Sequence, residues 1–210
     1  VAGHSLGEFS ALVATKTLKF EEGLKLVIQR AEAMHLACQN QQSTMAAIIG
    51  LKADIIEEIC MEANGIVTIA NYNTPNQIVI SGEEKAIKAT TEKLASIGAK
   101  RTVMLTVGGA FHSPIMDSAK ETLRENINNI SFKNPICPIY QNVSANPISD
   151  PDTIKRNLIQ QLTSPVKWYQ TIEKMIQNGA KTFIEVGPGN VLIGLNRRIN
   201  RDVNSETARL

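Results

Sequence analysis

A serine held between two glycines and followed at once by an apolar helical run constrains this chain more than any other stretch. The sequence opens Val1-Ala2-Gly3-His4-Ser5-Leu6-Gly7-Glu8. Gly3-x-Ser5-x-Gly7 has the form of a nucleophile elbow, in which a strand turns sharply into a helix and flanking glycines relieve the crowding. Phe9, Leu12 and Val13 supply the helix. Ser5 would then stand at a helix N-terminus, where backbone N–H groups face a developing negative charge, and it becomes the leading candidate nucleophile. A plain glycine-rich turn is the competing reading. Only Val1 and Ala2 precede Gly3, where an elbow needs a buried strand to deliver its serine, so an N-terminally truncated chain is expected.

A second helix is expected over about Glu21 to Gln39, with Leu24, Val27, Ile28, Ala31 and Cys38 on one stripe. Arg30 borders that stripe and could reach from a packed margin into a cleft. A solvated ion pair with Glu22 or Glu32 is the alternative. Next come a strand (45–50), a helix (54–63), a strand (66–70), a turn (71–76), a strand (77–81), a helix (83–97) and a strand (101–107). This β-α-β-β-α-β order is the split ferredoxin-like unit. The expected fold is therefore α/β: a hydrolase-like parallel-sheet subdomain, residues 1–43 and 109–210, with an inserted ferredoxin-like α+β subdomain, residues 44–108. A cleft is expected where the two meet.

At the exit of the insert, Gly108-Gly109-Ala110-Phe111-His112-Ser113-Pro114 forms a junction loop. A helix through Met116, Ala119, Leu123 and Ile127 follows. Of the three histidines, His4 lies in the elbow, His35 on the second helix and His112 on this loop, where it is a candidate base. Further on, the pattern predicts a strand (135–143), helices (152–163 and 166–178), a strand (182–186) and a helix (191–199). The alternation argues for an open parallel sheet. Gly187-Pro188-Gly189 lacks the lysine and the spacing of a phosphate loop and reads as a tight turn. The polar tail, residues 200–210, is expected to fray.

With 43% hydrophobic residues among 210, the chain can bury a substantial core. A net charge of +2 gives no field that argues for nucleic acid or an anionic membrane surface. Cys38, Cys60 and Cys137 are far apart and lack C-x-x-C spacing, so no disulfide framework or metal site is suggested, and a cytoplasmic location fits. No apolar run is long enough to span a bilayer. A hydrolase triad in the order Ser, Asp or Glu, His has no suitable member: Asp54 is the only aspartate between Ser5 and His112, and the intervening glutamates sit mostly on helices. What remains is a Ser–His pair oriented by something other than a carboxylate.

GHSLGE at the elbow, Arg30 within Gln-Arg-Ala-Glu-Ala-Met34, Asn71-Tyr-Asn-Thr-Pro-Asn-Gln-Ile-Val-Ile-Ser-Gly82, GAFHSP around His112, Gln161-Leu162 with Ser164-Pro-Val-x-Trp168, and Glu-Val-Gly-Pro-Gly189 occur together. In this order they resemble the malonyl-CoA:acyl carrier protein transacylase family over almost the whole chain. The resemblance implies that Ser5 is acylated, that His112 is its general base and that Arg30 holds the free malonyl carboxylate. The Gln161 main-chain carbonyl would orient His112, so substituting the Gln161 side chain is expected to matter less than its position suggests. The Leu6 N–H would form half of an oxyanion hole whose other half, a Gly-Gln-Gly segment, is not in this sequence, so the chain alone is expected to be inactive. Phe111 would restrict the pocket to small acyl groups. Malonyl-CoA and acyl carrier protein are the implied partners, with no cofactor, in a monomer serving fatty acid synthesis. Asn71 and Asn73 are candidates for lining the cleft, and Lys100, Arg101, Lys167, Arg197 and Arg198 for docking the acidic carrier. An acyltransferase fragment of a polyketide or fatty acid synthase, a serine thioesterase and a non-catalytic carrier-binding remnant remain as alternatives.

Overall fold

The computed structural model describes residues 1–208. Helix α1 (Gly7–Ala14) leads through a short connection into α2 (Phe20–Asn40), whose buried face is Gly23, Leu26, Arg30, Ala33, Met34 and Ala37. The expected stripe is displaced: Leu24 and Ile28 are half exposed, and Arg30 lies within the buried face rather than at its edge. The reason is size. Small residues let neighbouring helices approach, and a Cβ at Gly23 would stand 2.5 Å from Val13 Cγ2.

Strand β1 (Ser43–Ile49) is buried on both sides, which explains its unbroken apolar run. Helix α3 (Ala53–Met61), β2 (Val67–Thr74), β3 (Gln77–Glu83), α4 (Glu84–Ser96) and β4 (Arg101–Met104) complete an antiparallel sheet in the order β2-β3-β1-β4. Ala46, Ile48, Ile69 and Ile80 join Ile56, Ile87 and Leu94 in one core. Met45, Ala47, Ala70 and Val79 on the other face meet Val103, Leu105 and Phe111. The stretch 71–76 is not a turn throughout. Asn71 and Tyr72 pair with Val79 and Ile78, and register shifts absorb the irregular sequence, leaving only Pro75 and Asn76 between the strands. Strand β4 ends three residues before Val107.

Helices α5 (Asp117–Asn128) and α6 (Pro151–Gln160) join α1 and α2 around Phe9, Leu12, Leu26, Leu123, Ile127, Ile154 and Leu158. Between them the expected strand over 135–143 shrinks to β5 (Ile139–Tyr140), paired with β6 (Pro147–Ile148) and, through a parallel bridge, with Ala2. A 3₁₀ turn (Gln161–Thr163) precedes α7 (Trp168–Gln177). Strand β7 (Thr182–Glu185) and α8 (Val191–Ile199) follow. The tail does not simply fray, because β8 (Asn204–Thr207) pairs in parallel with β7. Strand pairing uses backbone groups that a polar composition does not remove; the last two residues of that tail lie outside the described residues.

The architecture is the expected α/β class, with an antiparallel two-helix insert; in the host part the described strands form one parallel pair, β7 with β8, and one antiparallel pair, β5 with β6, rather than a continuous open sheet. Val166 stitches the two together: its N–H donates to Ala70 O at 2.8 Å, and its carbonyl accepts from Tyr72 N at 2.9 Å. Among the described residues no helix is long and apolar enough to cross a membrane.

Candidate active site

Ser5 adopts φ 51°, a left-handed conformation that costs a non-glycine residue on the order of 1–3 kcal/mol and marks a tight elbow. The elbow closes because Gly3 has no side chain: a Cβ there would stand 1.9 Å from Gly7 C. Gly7 is different, since a Cβ on it would meet nothing within 4 Å. Asn142 locks the turn. Its Oδ1 accepts from Ser5 N at 2.7 Å, and its Nδ2 donates to Gly3 O at 2.7 Å.

His112 also has a positive φ, 59°, and is almost fully buried. Its loop passes close to α2, where a Cβ at Gly109 would stand 2.2 Å from Cys38 Sγ, and Ser113 caps the turn that follows by accepting from Ile115 N. His112 Nδ1 lies 2.8 Å from Gln161 O, and Nε2 lies 2.8 Å from Ser5 Oγ. A carbonyl can only accept, so Nδ1 carries the proton and Nε2 is free to accept from the serine hydroxyl. Burial pushes the imidazole down to about 4 despite the Gln161 carbonyl, which leaves a neutral base.

Arg30 reaches the same oxygen, with Nη2 donating to Ser5 Oγ at 2.9 Å. It is 6% exposed, lies over the Phe9 ring with 5.8 Å to the centroid, and its Nε has no hydrogen-bond partner among the described residues. Burial lowers its pKa to about 10, with Glu8 pulling it back up, so the guanidinium stays charged near neutrality. A buried cation with spare donors is a site for an anion, and a planar guanidinium matches a carboxylate.

A cavity of about 480 Å³ opens above these groups and is lined in part by Arg30, Met34, Asn71, Phe111 and His112. Phe111 stands in its wall. The Leu6 N–H has no hydrogen-bond partner among the described residues. Asn73 does not line the cavity: its Oδ1 lies 3.0 Å from His4 Nε2, and the His4 ring rests against Trp168 at 5.5 Å. His35 is exposed at the rim and bonds Gln39. Among the described residues no group of three or more His, Cys, Asp or Glu side chains could hold a metal ion.

Beyond its carbonyl, the Gln161 side chain makes contacts of its own. It is fully buried, and its Nε2 donates to Ser5 O at 3.0 Å and to Glu8 Oε2 at 2.5 Å. Glu8 and Asn142 are the site residues that the sequence reading missed. Glu8 looked like an ordinary acidic residue in the first turn of a helix, and Asn142 like one of several loop asparagines; the only available signal was that Glu8 falls beside Phe9 and Leu12 on the buried side. Burial pushes the Glu8 carboxyl up to about 8, opposed by the Asn142 N–H, the Gln161 amide and Arg30.

Of the candidate docking cations, Arg197 and Arg198 join Arg201 in two hollows, one of which also involves Ile49, Thr74, Asn76 and Gln77. Arg101 pairs with Ile49 across β4 and β1, and Lys100 packs over Gly50. Lys167 stands apart from those hollows, half-buried at the start of α7. The Gly187-Pro188-Gly189 turn leads into a helix whose first N–H groups are already taken, since Glu185 accepts from Leu192 N at 3.1 Å and Ile193 N at 2.9 Å.

Residues 1–209 match the acyl transferase domain family. The malonyl CoA-acyl carrier protein transacylase of Staphylococcus aureus strain MRSA252 is 43% identical over 96% of this chain, which spans 66% of that protein. That of Bacillus subtilis strain 168 is 42% identical over 95% of this chain, which spans 64% of it. The structure of the acyl-carrier-protein-S-malonyltransferase from Bartonella henselae superposes with TM-score 0.94 at 43% identity, over 99% of this chain and 67% of that one. A malonyl-transacylase solved in complex with its type II PKS acyl-carrier protein superposes with TM-score 0.95 at 34% identity, over 99% of this chain and 68% of that one.

Proposed function

Because this chain belongs to the acyl transferase domain family, we propose that its site transfers a malonyl group from malonyl-CoA to the phosphopantetheine thiol of acyl carrier protein, supplying fatty acid synthesis. The observation that carries the reading is the convergence of His112 Nε2 and Arg30 Nη2 on Ser5 Oγ, at 2.8 and 2.9 Å. A nucleophile, a neutral base and a buried cation meet at one oxygen.

The chemistry runs in two halves. His112 Nε2 takes the Ser5 proton as Oγ attacks the thioester carbonyl, and the Leu6 N–H receives the oxyanion that forms. Collapse breaks the C–S bond, the CoA sulfur leaves with the proton from His112, and a malonyl-serine ester remains. Arg30 turns from Oγ to the malonyl carboxylate, which an acetyl group cannot supply. The carrier thiol then gives its proton to His112 and attacks the ester, and the proton returns to Ser5. Phe111 narrows the cavity, and the acidic carrier docks on the cluster of Arg197, Arg198 and Arg201.

The test is incubation of the full-length protein with labelled malonyl-CoA, followed by mass analysis of the peptide holding Ser5. A malonyl adduct that passes to carrier thiol faster than to water is expected. No adduct, or faster loss to water, would replace transfer by carrier binding or by thioester hydrolysis.

A further inference from the structure

Glu8 touches neither the cavity nor the reacting oxygen, yet both halves of the Ser5–His112 pair are fastened to it. One carboxyl oxygen accepts from Asn142 N, and the other accepts from Gln161 Nε2 at 2.5 Å. Asn142 is the residue whose side chain accepts from Ser5 N at 2.7 Å and ties Gly3 O. Gln161 is the residue whose carbonyl holds His112 Nδ1 at 2.8 Å and whose amide also reaches Ser5 O at 3.0 Å. The loop after β5 and the 3₁₀ turn after α6 thus meet at one carboxyl group, which is 1% exposed.

We propose that Glu8 is a positioning residue: its carboxylate bridges the Asn142 backbone and the Gln161 side chain and so sets the distance between nucleophile and base. The physical reason is its acceptor count. An ionised carboxylate offers two acceptor oxygens and no donor, which matches two N–H groups arriving from separate segments; an amide or a protonated acid offers only one free acceptor face. A purely space-filling residue here would have been apolar, since a buried carboxyl with no task is costly. The charged and titratable groups around the cluster are Arg30 from α2, His112 from the junction loop and His4 from the elbow. Arg30 stays charged up to about 10, and burial keeps both imidazoles neutral above their lowered pKa values, so Glu8 is the group that titrates near 8.

This inference rests on Ser5 being the nucleophile of the proposed transfer. Its test therefore uses a fluorophosphonate, which reads Ser5 reactivity without any acyl substrate, so that failure of malonyl transfer and failure of the bridge are separate results. In the full-length protein at about pH 9, Glu8→Gln is expected to slow phosphonylation of Ser5 by roughly tenfold to 100-fold, the scale of a small misplacement of reacting groups. The fraction labelled at completion should stay unchanged. At about pH 6, where the protonated acid, like the amide, has a single carbonyl oxygen beside a donating group, the two proteins should agree within about twofold. Gln161→Met keeps the backbone carbonyl and removes the bridge from its other end, and it should be slow at both pH values. A structural role alone would lower the labelled fraction and leave the rate of the folded protein intact. That outcome, an equal loss at both pH values for Glu8→Gln, or an unchanged rate in Gln161→Met would each overturn the proposal; should Glu8→Gln fail to fold, the Gln161→Met rate decides it.

Discussion

Arg30 Nη2 donates to Ser5 Oγ at 2.9 Å, the same oxygen that meets His112 Nε2 at 2.8 Å. The guanidinium therefore occupies a lone pair of the nucleophile until a better anion draws it away, and a malonyl carboxylate is such an anion. Arg30→Ala is expected to lower kcat/KM for malonyl transfer roughly 10- to 100-fold, the worth of hydrogen bonds to a charged group. Transfer of uncharged acyl groups should hold or rise. Steady-state kinetics with malonyl-CoA and acetyl-CoA check both halves, and unchanged malonyl transfer would remove Arg30 from the site.

The positive φ of Ser5 separates two variants that are equally inert chemically. Ser5→Ala keeps a Cβ in the left-handed region, whereas Ser5→Gly relieves it. Ser5→Gly should therefore unfold at higher denaturant than Ser5→Ala, with a difference of about 1 kcal/mol by urea titration. Equal midpoints would mean that the elbow stores no strain at this residue.

These relationships were unequally legible in the sequence. The elbow and the order of the insert follow from local spacing, which is where patterns of glycine, apolar residues and turns act. Ser5 and His112 could be paired by eliminating a triad. Glu8 and Asn142 could not, because their roles come from contacts with residues far away in the chain and an isolated carboxylate or amide carries no periodic signal. The burial of Arg30 is not legible from bulk alone, because small residues, Gly23, Ala33 and Ala37, share the packed face of α2 with Leu26 and Met34 while Leu24 and Ile28 stay half exposed. Strand β8 escaped notice since its pairing with β7 is made by backbone groups beneath a polar sequence.

The cluster of Arg197, Arg198 and Arg201 is exposed, so its effect should be on association rather than chemistry. Arg198→Glu is expected to raise KM for acyl carrier protein by roughly tenfold at low salt while leaving Ser5 acylation by malonyl-CoA unchanged. The difference should shrink as ionic strength rises, because exposed charges are screened within about 10 Å at 0.1 M salt. A KM that does not respond to either the charge or the salt would put the carrier elsewhere.

His112 and Glu8 are both deeply buried, yet burial moves their pKa values in opposite directions, and their effects on stability oppose each other. His112 falls from 6.5 to about 4, so its contribution is complete above 6.5 and is lost as pH drops through 4. Glu8 rises from 4.5 to about 8, so its contribution is complete below 4.5 and is lost as pH climbs through 8. Where these windows overlap, from 4.5 to 6.5, the two slopes cancel, and above 6.5 only the Glu8 slope remains. From about pH 6.5 to about pH 8 these two groups should lower the unfolding free energy by roughly 2 kcal/mol. Urea unfolding of the parent and of Glu8→Gln at both pH values isolates the cause: the decline should be present in the first and absent in the second. If the variant declined equally, the loss would come from other groups, and burial of the Glu8 carboxyl would not govern the pH response.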